Sequence, residues 1–300
     1  MQAAWYFAPT AEHDVLTITV LIENETRSKA LACEHGLSLL LACEGKTLLF
    51  DTGASNAFLR NADAMGADLG AVSAIVLSHG HHDHTGGLGH ALQHFAHSAS
   101  LSGECPRPSM PEVIAHPDIL LHRRRAATEK DPGKYLGVPE PALALLHTWP
   151  LRLLKKARRL TENLIYLGEI PRKYPDTQAL LGEIARNGVY EADRILDDSA
   201  LVYVQGQGKE RALTVIAGCA HSGIINTVEH AKAITGVHRI HAVIGGMHMK
   251  DASEALKKRT LRYFAEQDIE MLRGCHCTGS ALDGAARQKP LHTGDYLEIA

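Results

Sequence analysis

The residues best suited to chemistry lie together at positions 79–84, which read His-Gly-His-His-Asp-His. Four imidazoles and one carboxylate fall within these six positions, and only Ser78 separates them from the apolar run 74–77. Neutral imidazole binds zinc, iron and other first-row metals, and a carboxylate adds a hard oxygen ligand with negative charge. A strand that ends in such a cluster brings its donors to one point, so the sequence predicts a metal site.

The spacing of these donors indicates that they can bind two different ions. His79 and His81 are two residues apart, so an extended loop projects both to the same side, where they can chelate one ion. Asp83 and His84 lie in the turn that follows and can face a second ion nearby.

A second group of donors follows the apolar run 212–217. His221 can complete a three-imidazole set with His79 and His81. Cys219 comes two residues earlier, and it either points the same way or is a small buried apolar residue. We favour the apolar interpretation of this cysteine.

A third group lies at 275–277, which reads Cys-His-Cys. One interpretation is a thiolate site. In an extended loop, however, the two sulfurs share one side and the imidazole of His276 takes the other. Because imidazoles and a carboxylate are already present, we favour His276 as the ligand that completes a second set with Asp83 and His84.

Other polar residues also follow predicted strands. His248 comes after Gly-Gly-Met at 245–247, where glycines allow a close approach of the backbone to a ligand. This histidine either lines the pocket or is structural. Asp51 is expected to orient the metal loop through its carboxylate. Asp197 and Asp198 either supply a further carboxylate or are solvated acids that open a strand.

The composition places limits on partners and location. Of the 300 residues, 45% are apolar and 22% are charged, and the formal net charge is -3. We therefore expect no general attraction to nucleic acid or to anionic membranes. The longest apolar runs are far shorter than a membrane span. The six cysteines are scattered, which favours a reducing compartment, so we expect a cytoplasmic protein. The oligomeric state is not indicated.

Two basic clusters, at 122–125 and 155–159, stand out against this nearly neutral background. They are interpreted as solvated helix faces. The alternative is local recognition of a phosphate group.

The elements that must position the donors alternate between strand and helix. Apolar and β-branched runs predict strands at 15–22, 37–43, 46–50, 74–77, 113–116, 200–204, 212–217 and 241–244. Helical spacing predicts helices at 54–65, from 88 onward, at 224–234 and at 251–267. Asp251 is the expected N-cap of the last helix. The pattern favours a layered α/β fold, with one domain over 1–300 and an irregular elaboration at about 98–175.

The cluster at 79–84, with Phe-Asp-Thr-Gly at 50–53 upstream, resembles the HxHxDH loop of the metallo-β-lactamase superfamily. More narrowly, the chain resembles the branch of 7,8-dihydropterin-6-methyl-4-(β-D-ribofuranosyl)aminobenzene-5'-phosphate synthase-like proteins. The segments that carry this narrower resemblance are 78–81, 114–118, 168–172, 197–198, 218–223, 245–248 and 276–279. The resemblance implies a four-layer αβ/βα sandwich of the metallo-β-lactamase type, with metal at one edge between the sheets.

The resemblance also implies an activity. We expect a metal-dependent hydrolase that acts on a phosphoester or related small substrate through a metal-activated water. Zinc is the expected ion, with manganese, iron or magnesium as alternatives. The expected metal ligands are His79, His81, Asp83, His84, His221 and His276. The expected catalytic residues are Asp83 and His248, and Arg172 is the expected substrate-binding residue.

One segment departs from the wider superfamily. Many members carry a metal-bridging aspartate after the strand equivalent to 215–217, whereas this chain reads Gly-Cys-Ala-His there. The sequence therefore leaves open whether a bridging ligand exists and whether one or two ions bind.

Two other activities remain as alternatives. The first is a transferase that condenses a dihydropterin-methyl diphosphate with an aminobenzene ribosyl phosphate, as the narrower resemblance suggests. The second is a di-iron redox protein, because the same ligand types bind iron.

Overall fold

The computed structural model describes residues 15–101, 110–126, 128, 133–174 and 182–300. In chain order the strands are β1 (Leu16–Ile22), β2 (Ser38–Cys43), β3 (Lys46–Phe50), β4 (Val72–Val76), β5 (Glu112–Ala115), β6 (Arg123–Arg124), β7 (Leu151–Leu153), β8 (Arg158–Arg159), β9 (Leu164–Tyr166), β10 (Glu183–Arg186), β11 (Val189–Ala192), β12 (Ala200–Gln205), β13 (Ala212–Ala217), β14 (Ile240–Gly246), β15 (Met271–Cys275) and β16 (Tyr296–Ile299). The helices are α1 (Ala57–Met65), α2 (His82–Thr85), α3 (Leu88–Leu101), α4 (Glu140–Leu146), α5 (Ile224–Thr235) and α6 (Glu254–Glu266). Within these ranges, no helix has both the length and the apolar character needed to cross a membrane.

Most of the strands form two sheets. The first has the order β16-β1-β2-β3-β4-β5-β7, and the second has the order β15-β14-β13-β12-β9-β8. A small third sheet has the order β11-β10-β6. In the first sheet β3, β4, β5 and β7 run parallel, and in the second β13, β14 and β15 do. Parallel strands in one sheet direct their carboxyl ends to one edge, so the loops that follow them meet there.

Apolar residues alternate between cores along the central strands. On β12, Tyr203 belongs to a core between the two sheets that also contains Phe50 of the first sheet. Its neighbour Val202 belongs instead to a core shared with α5 and α6. On β4, Val76 lies between the sheets, whereas Ile75 packs under α1, α3 and α4. This arrangement confirms the expected four-layer αβ/βα sandwich.

The segment 98–175 is more regular than expected. Strands β5 and β7 extend the first sheet, β8 and β9 extend the second, and α4 packs in the outer core of the first. Strand β5 overlaps the strand predicted at 113–116, whereas β7, β8 and β9 have only two or three residues, which is too short for a visible alternation of apolar and polar residues. Positions 102–109, 127, 129–132 and 175 of this segment lie outside the described residues.

The basic clusters do not form helix faces, contrary to expectation. Arg123 and Arg124 form β6, and Arg158 and Arg159 form β8. The side chain of Arg123 is only 1% exposed. The interpretation as solvated helix surface is therefore wrong for the first cluster, because Arg123 pairs with buried acids.

Helix α6 begins three residues later than the sequence suggested. Ser253 has an extended backbone, and its hydroxyl accepts a hydrogen bond from the backbone N–H of Leu256. Ser253 is therefore the N-cap, and the assignment of Asp251 to that place is wrong. A serine followed by acidic Glu254 in the first turn suits both the free N–H groups and the helix dipole.

We expect Ser253→Ala to lower the free energy of unfolding by about 1 kcal/mol, because it removes the cap acceptor. Urea denaturation measures the change. Asp251→Ala is the matched control and should stay within about 0.5 kcal/mol of the parent. A loss confined to the Asp251 variant would contradict the capping assignment.

Candidate metal centre

The loops after β4, β13 and β15 meet at one edge of the sandwich. The loop after β4 carries His79 and His81, the loop after β13 carries Cys219 and His221, and the loop after β15 begins at His276. The imidazoles of His79 and His84 lie only 4.3 Å apart between ring centroids. The donors therefore form one centre with two adjoining parts.

The first part consists of three imidazoles. His79 Nε2 lies 3.1 Å from His81 Nδ1 and 3.2 Å from His221 Nε2. Ser78 Oγ donates to Asp51 Oδ2 at 2.6 Å, so it accepts from His79 Nδ1 at 3.0 Å. The network thus assigns the His79 proton to Nδ1 and leaves the Nε2 lone pair facing the other imidazoles. Nitrogen ligands on a tetrahedral zinc ion lie about 3.3 Å apart, which matches these separations.

Burial keeps these imidazoles uncharged. It lowers the pKa of His79 and of His221 well below the usual value, and the neighbouring imidazoles lower both further. Burial also lowers the pKa of His81 to about 4, although the Asp83 carboxylate partly opposes it. Neutral imidazole is the form that binds metal, so this set is ready to ligate at pH 7.

The second part combines nitrogen, oxygen and sulfur donors. His84 Nε2 and His276 Nε2 are 3.2 Å apart, and Asp83 Oδ2 lies 3.2 Å from His276 Nε2. Cys219 Sγ lies 3.2 Å from His84 Nε2. These four donor atoms all lie within 4.8 Å of one another.

Hydrogen bonds to the far nitrogens orient both imidazoles of the second part. His84 Nδ1 donates to Asp51 Oδ2 at 2.7 Å, and His276 Nδ1 donates to Asn24 Oδ1 at 3.0 Å. The two Nε2 atoms therefore face each other beside the carboxylate of Asp83. Such an arrangement of acceptors needs positive charge between them.

The pKa values of His84 and Asp83 also show that positive charge is favoured in the second part. Burial lowers the pKa of His84, but the carboxylates of Asp51 and Asp83 outweigh it and raise the pKa to about 9. Burial raises the pKa of Asp83, yet the imidazoles of His84 and His276 bring it well below its usual value. A divalent ion would supply this charge in place of a proton, so the donor set fits a metal.

Asp51 connects the two parts. It follows β3 with a positive φ of 58° and is fully buried. Its Oδ1 accepts the backbone N–H of Ser78 at 2.7 Å, and its Oδ2 accepts from Ser78 Oγ and His84 Nδ1. These contacts agree with the expected orienting role, because they fix one imidazole directly and His79 through the serine.

Two acids before β12, Asp197 and Asp198, accept hydrogen bonds from the backbone of the ligand loops. Asp197 Oδ2 accepts the N–H of Gly80 at 2.7 Å, between the two histidines of the first part. Arg123 pairs with Asp197 at 2.5 Å and with Asp193 at 2.7 Å. A Cβ on Gly80 would lie 2.0 Å from Arg123 Nη1, so only glycine fits at this position.

Asp198 Oδ2 accepts the N–H of Ser222 at 2.8 Å.

The interpretation of Asp197 and Asp198 as solvated acids is therefore wrong, since both are fully buried. Neither belongs to the groups of donors that surround a possible ion in the described part of the chain. Their carboxylates act on the backbone of the ligand loops instead.

The six histidine and aspartate ligands predicted from the sequence are brought together by the structure. The remaining predicted site residues lie close by. The imidazole of His248 lies 4.4 Å from that of His221 between centroids. Arg172 is exposed, and it donates to the carbonyl of Ile195 at 3.1 Å. The same carbonyl accepts the backbone N–H of Asp198 at 3.2 Å, and Asp198 in turn accepts the N–H of Ser222, next to His221.

Sequence reasoning missed several residues of the centre. The apolar interpretation of Cys219 is wrong, because its sulfur lies among the ligand atoms. His35 is exposed, stacks on His276 with centroids 4.7 Å apart, and lies 3.4 Å from Asp83 Oδ2. Asn24 lies two residues after the end of β1 at Ile22, so a search of the residues that follow each strand finds it. Nothing in the sequence around His35 marks it.

Comparison with known proteins agrees with the resemblance found in the sequence. Residues 32–104 match the profile of the metallo-beta-lactamase superfamily. The chain is 30% identical over 263 residues to an uncharacterized protein of Methanocaldococcus jannaschii. The aligned region covers 87% of this chain and 90% of that relative. It is 28% identical over 260 residues to the 7,8-dihydropterin-6-methyl-4-(beta-D-ribofuranosyl)-aminobenzene-5'-phosphate synthase of the same organism, over 82% of this chain and 81% of the synthase.

Among solved structures, the chain is similar to Tm1679, a metal-dependent hydrolase of the beta-lactamase superfamily. The TM-score is 0.76 at 27% identity, and the match covers 95% of this chain and 99% of that one.

We expect Asp51→Asn to weaken metal binding by about 10- to 100-fold, because an amide has only one oxygen and cannot accept hydrogen bonds at both the Oδ1 and the Oδ2 position. Competition with a chromophoric chelator measures the affinity. Asp63→Asn on the exposed face of α1 is the control and should bind like the parent. Equal affinity of all three proteins would rule out the orienting role.

We expect Arg123→Met to lower the free energy of unfolding by about 3–5 kcal/mol, since it leaves Asp193 and Asp197 buried without a counter-charge. Arg152→Met is the matched control. Arg152 forms a partly exposed pair with Glu112, so that loss should stay below about 1 kcal/mol. Similar losses in the two variants, measured by denaturant unfolding, would contradict the assignment.

Proposed function

This chain belongs to the metallo-β-lactamase superfamily, and from that premise we propose that it is a metal-dependent hydrolase of a phosphoester or related small phosphorylated substrate. The observation that carries the proposal is the pair of adjoining donor sets with their lone pairs turned inward. Ser78 orients His79 in the first set, and Asp51 and Asn24 orient the two imidazoles of the second set, as is usual for metal ligands.

The donors suit one or two divalent ions, and zinc accepts the nitrogen, oxygen and sulfur ligands present here. The first ion would be held by His79, His81 and His221, and the second by Asp83, His84 and His276. An ion in such a centre acts as a Lewis acid and lowers the pKa of water to about 7.

Asp83 is the proposed catalytic carboxylate. The neighbouring imidazoles keep its pKa well below the usual value, so it is ionised at neutral pH. An ionised carboxylate at this place can accept a hydrogen bond from the attacking water and so orient it. His248, beside His221, is proposed to contact the substrate.

The proposed substrate carries a phosphoryl group. Arg172 is exposed, and its guanidinium donates to the carbonyl of Ile195, which also accepts the N–H of Asp198. A guanidinium binds phosphate oxygens in a bidentate manner. The name of the synthase relative contains a 5'-phosphate, which supports the same class. The formal net charge of -3 supports a small molecule over a nucleic acid.

We also propose a cytoplasmic location. The five cysteines in the described part of the chain, Cys33, Cys43, Cys219, Cys275 and Cys277, are free thiols. A reducing compartment maintains this state.

A transferase is the second candidate, because 28% identity to the synthase extends over 82% of this chain. In that reaction a dihydropterin-methyl diphosphate would condense with an aminobenzene ribosyl phosphate. Arg172 would then hold phosphate groups, and Asp83 would have no water to orient.

A product-resolved assay distinguishes the two candidates. The purified full chain is first analysed for its metals, and each metal form is then given phosphodiesters and, separately, the dihydropterin diphosphate with the amine acceptor. We expect zinc and release of an alcohol and a phosphorylated product. A new C–N bond with release of diphosphate would establish the transferase and contradict hydrolysis.

We expect Asp83→Ala to lower hydrolytic kcat by at least about 100-fold, because the variant loses the carboxylate that orients the attacking water. Metal content is measured in parallel. Asp63→Ala, on the exposed face of α1, should keep full activity. Full activity of the Asp83 variant with unchanged metal content would remove this residue from the mechanism.

A further inference from the structure

One sulfur atom belongs to every group of donors found among the described residues. These groups are Asp83, His84, Cys219 and His276; His79, Cys219 and His221; and Cys219, His248 and Cys277. Within each group the ligand atoms lie within 4.8 Å of one another. Cys219 is therefore the donor common to both parts of the metal centre.

The position of this sulfur fits ligation on both sides. Cys219 is buried, and its Sγ lies 3.2 Å from His84 Nε2 in the second part. The first part begins at His79, whose imidazole lies next to that of His84. Sulfur and nitrogen ligands of one tetrahedral zinc ion lie about 3.6 Å apart. A sulfur at the junction of the two parts can reach an ion in either.

The backbone after β13 explains how the cysteine reaches the junction. A Cβ on Gly218 would lie 2.1 Å from Ser78 Oγ and 3.0 Å from Asp51 Oδ2, so the glycine lets this strand end approach the orienting pair. Ala220 then has a positive φ of 51°. The resulting turn directs both Cys219 and His221 into the centre.

We propose that the Cys219 thiolate is a ligand shared by the two metal positions and takes the place of the bridging carboxylate that many relatives carry. The inference rests on the metal centre of the proposed function, and not on its substrate or reaction. Binding replaces the thiol proton by metal, and that proton is released to solvent. A shared thiolate favours thiophilic ions such as zinc, cobalt and cadmium over manganese and magnesium.

Cys277 is the positioning residue for this ligand. Its thiol donates to Cys219 Sγ at 3.2 Å and in turn accepts the backbone N–H of His248 at 3.1 Å. Hydrogen bonds to a bridging sulfur fix its orientation, as outer hydrogen bonds do for other metal ligands. Cys277 itself is not assigned as a ligand of the two ions.

X-ray absorption of the zinc-loaded full chain tests the assignment without an activity measurement. A sulfur neighbour at about 2.3 Å is expected. If the thiolate is shared, the number of sulfurs per zinc stays at about one when loading rises from one to two equivalents, whereas a ligand of one ion alone gives about one half at full loading. A first shell of nitrogen and oxygen only would overturn the proposal, and so would a sulfur count that falls with loading.

Variants identify which cysteine provides the sulfur. Cys219→Ser should lose the sulfur neighbour and, in the cobalt-loaded protein, the thiolate-to-cobalt charge-transfer absorption in the near ultraviolet. Cys277→Ser should keep both, as should Cys33→Ser, which changes an exposed thiol. Loss in the Cys277 variant with retention in the Cys219 variant would contradict the assignment. Circular dichroism checks folding, and the spectra of the unaltered protein decide the presence of sulfur even if a variant does not fold.

The outcome is independent of the catalytic proposal. A shared sulfur in a protein without hydrolase activity would reject the proposed reaction and keep this ligand. Hydrolysis by a centre with only nitrogen and oxygen ligands would do the reverse.

Discussion

The carboxylate of Asp51 is the interaction on which both halves of the metal centre depend. It is fully buried, and a buried charge is stable only when hydrogen bonds replace its hydration. Those bonds come from the backbone and hydroxyl of Ser78 and from His84 Nδ1. Because Ser78 also accepts from His79, one carboxylate determines which nitrogen of two imidazoles is left to bind metal.

The same principle extends outward from the ligands. Asp197 holds the backbone of Gly80 and depends in turn on the guanidinium of Arg123, which is shared with Asp193. Each charge in this series is buried, so removal of one leaves the next without its counter-charge. Two buried carboxylates outside the donor sets therefore hold the backbone of the ligand loops through hydrogen bonds.

Parallel strand topology explains why residues 142 positions apart can share one ion, as His79 and His221 do. The strands that precede them lie in different sheets, and each sheet directs its parallel strands toward the same edge of the sandwich. Small shifts in the packing between the sheets would change the distance between the two ligands directly. The core between the sheets, which includes Phe50 and Tyr203, is thus part of what sets the metal geometry.

The sequence determined the strands whose apolar runs are long enough to read, such as β3 and β13, and the donors at their ends. It also gave the resemblance to a known family, because the ligand-rich loop at 79–84 is a local motif. The tertiary structure decided what depends on neighbours from other parts of the chain. Asp197 and Arg123 are buried and form an ion pair that supports the ligand loops. The turn at Ala220 places Cys219 among the ligands. A residue type alone does not reveal such roles, because burial and distance are set by segments far away in the sequence.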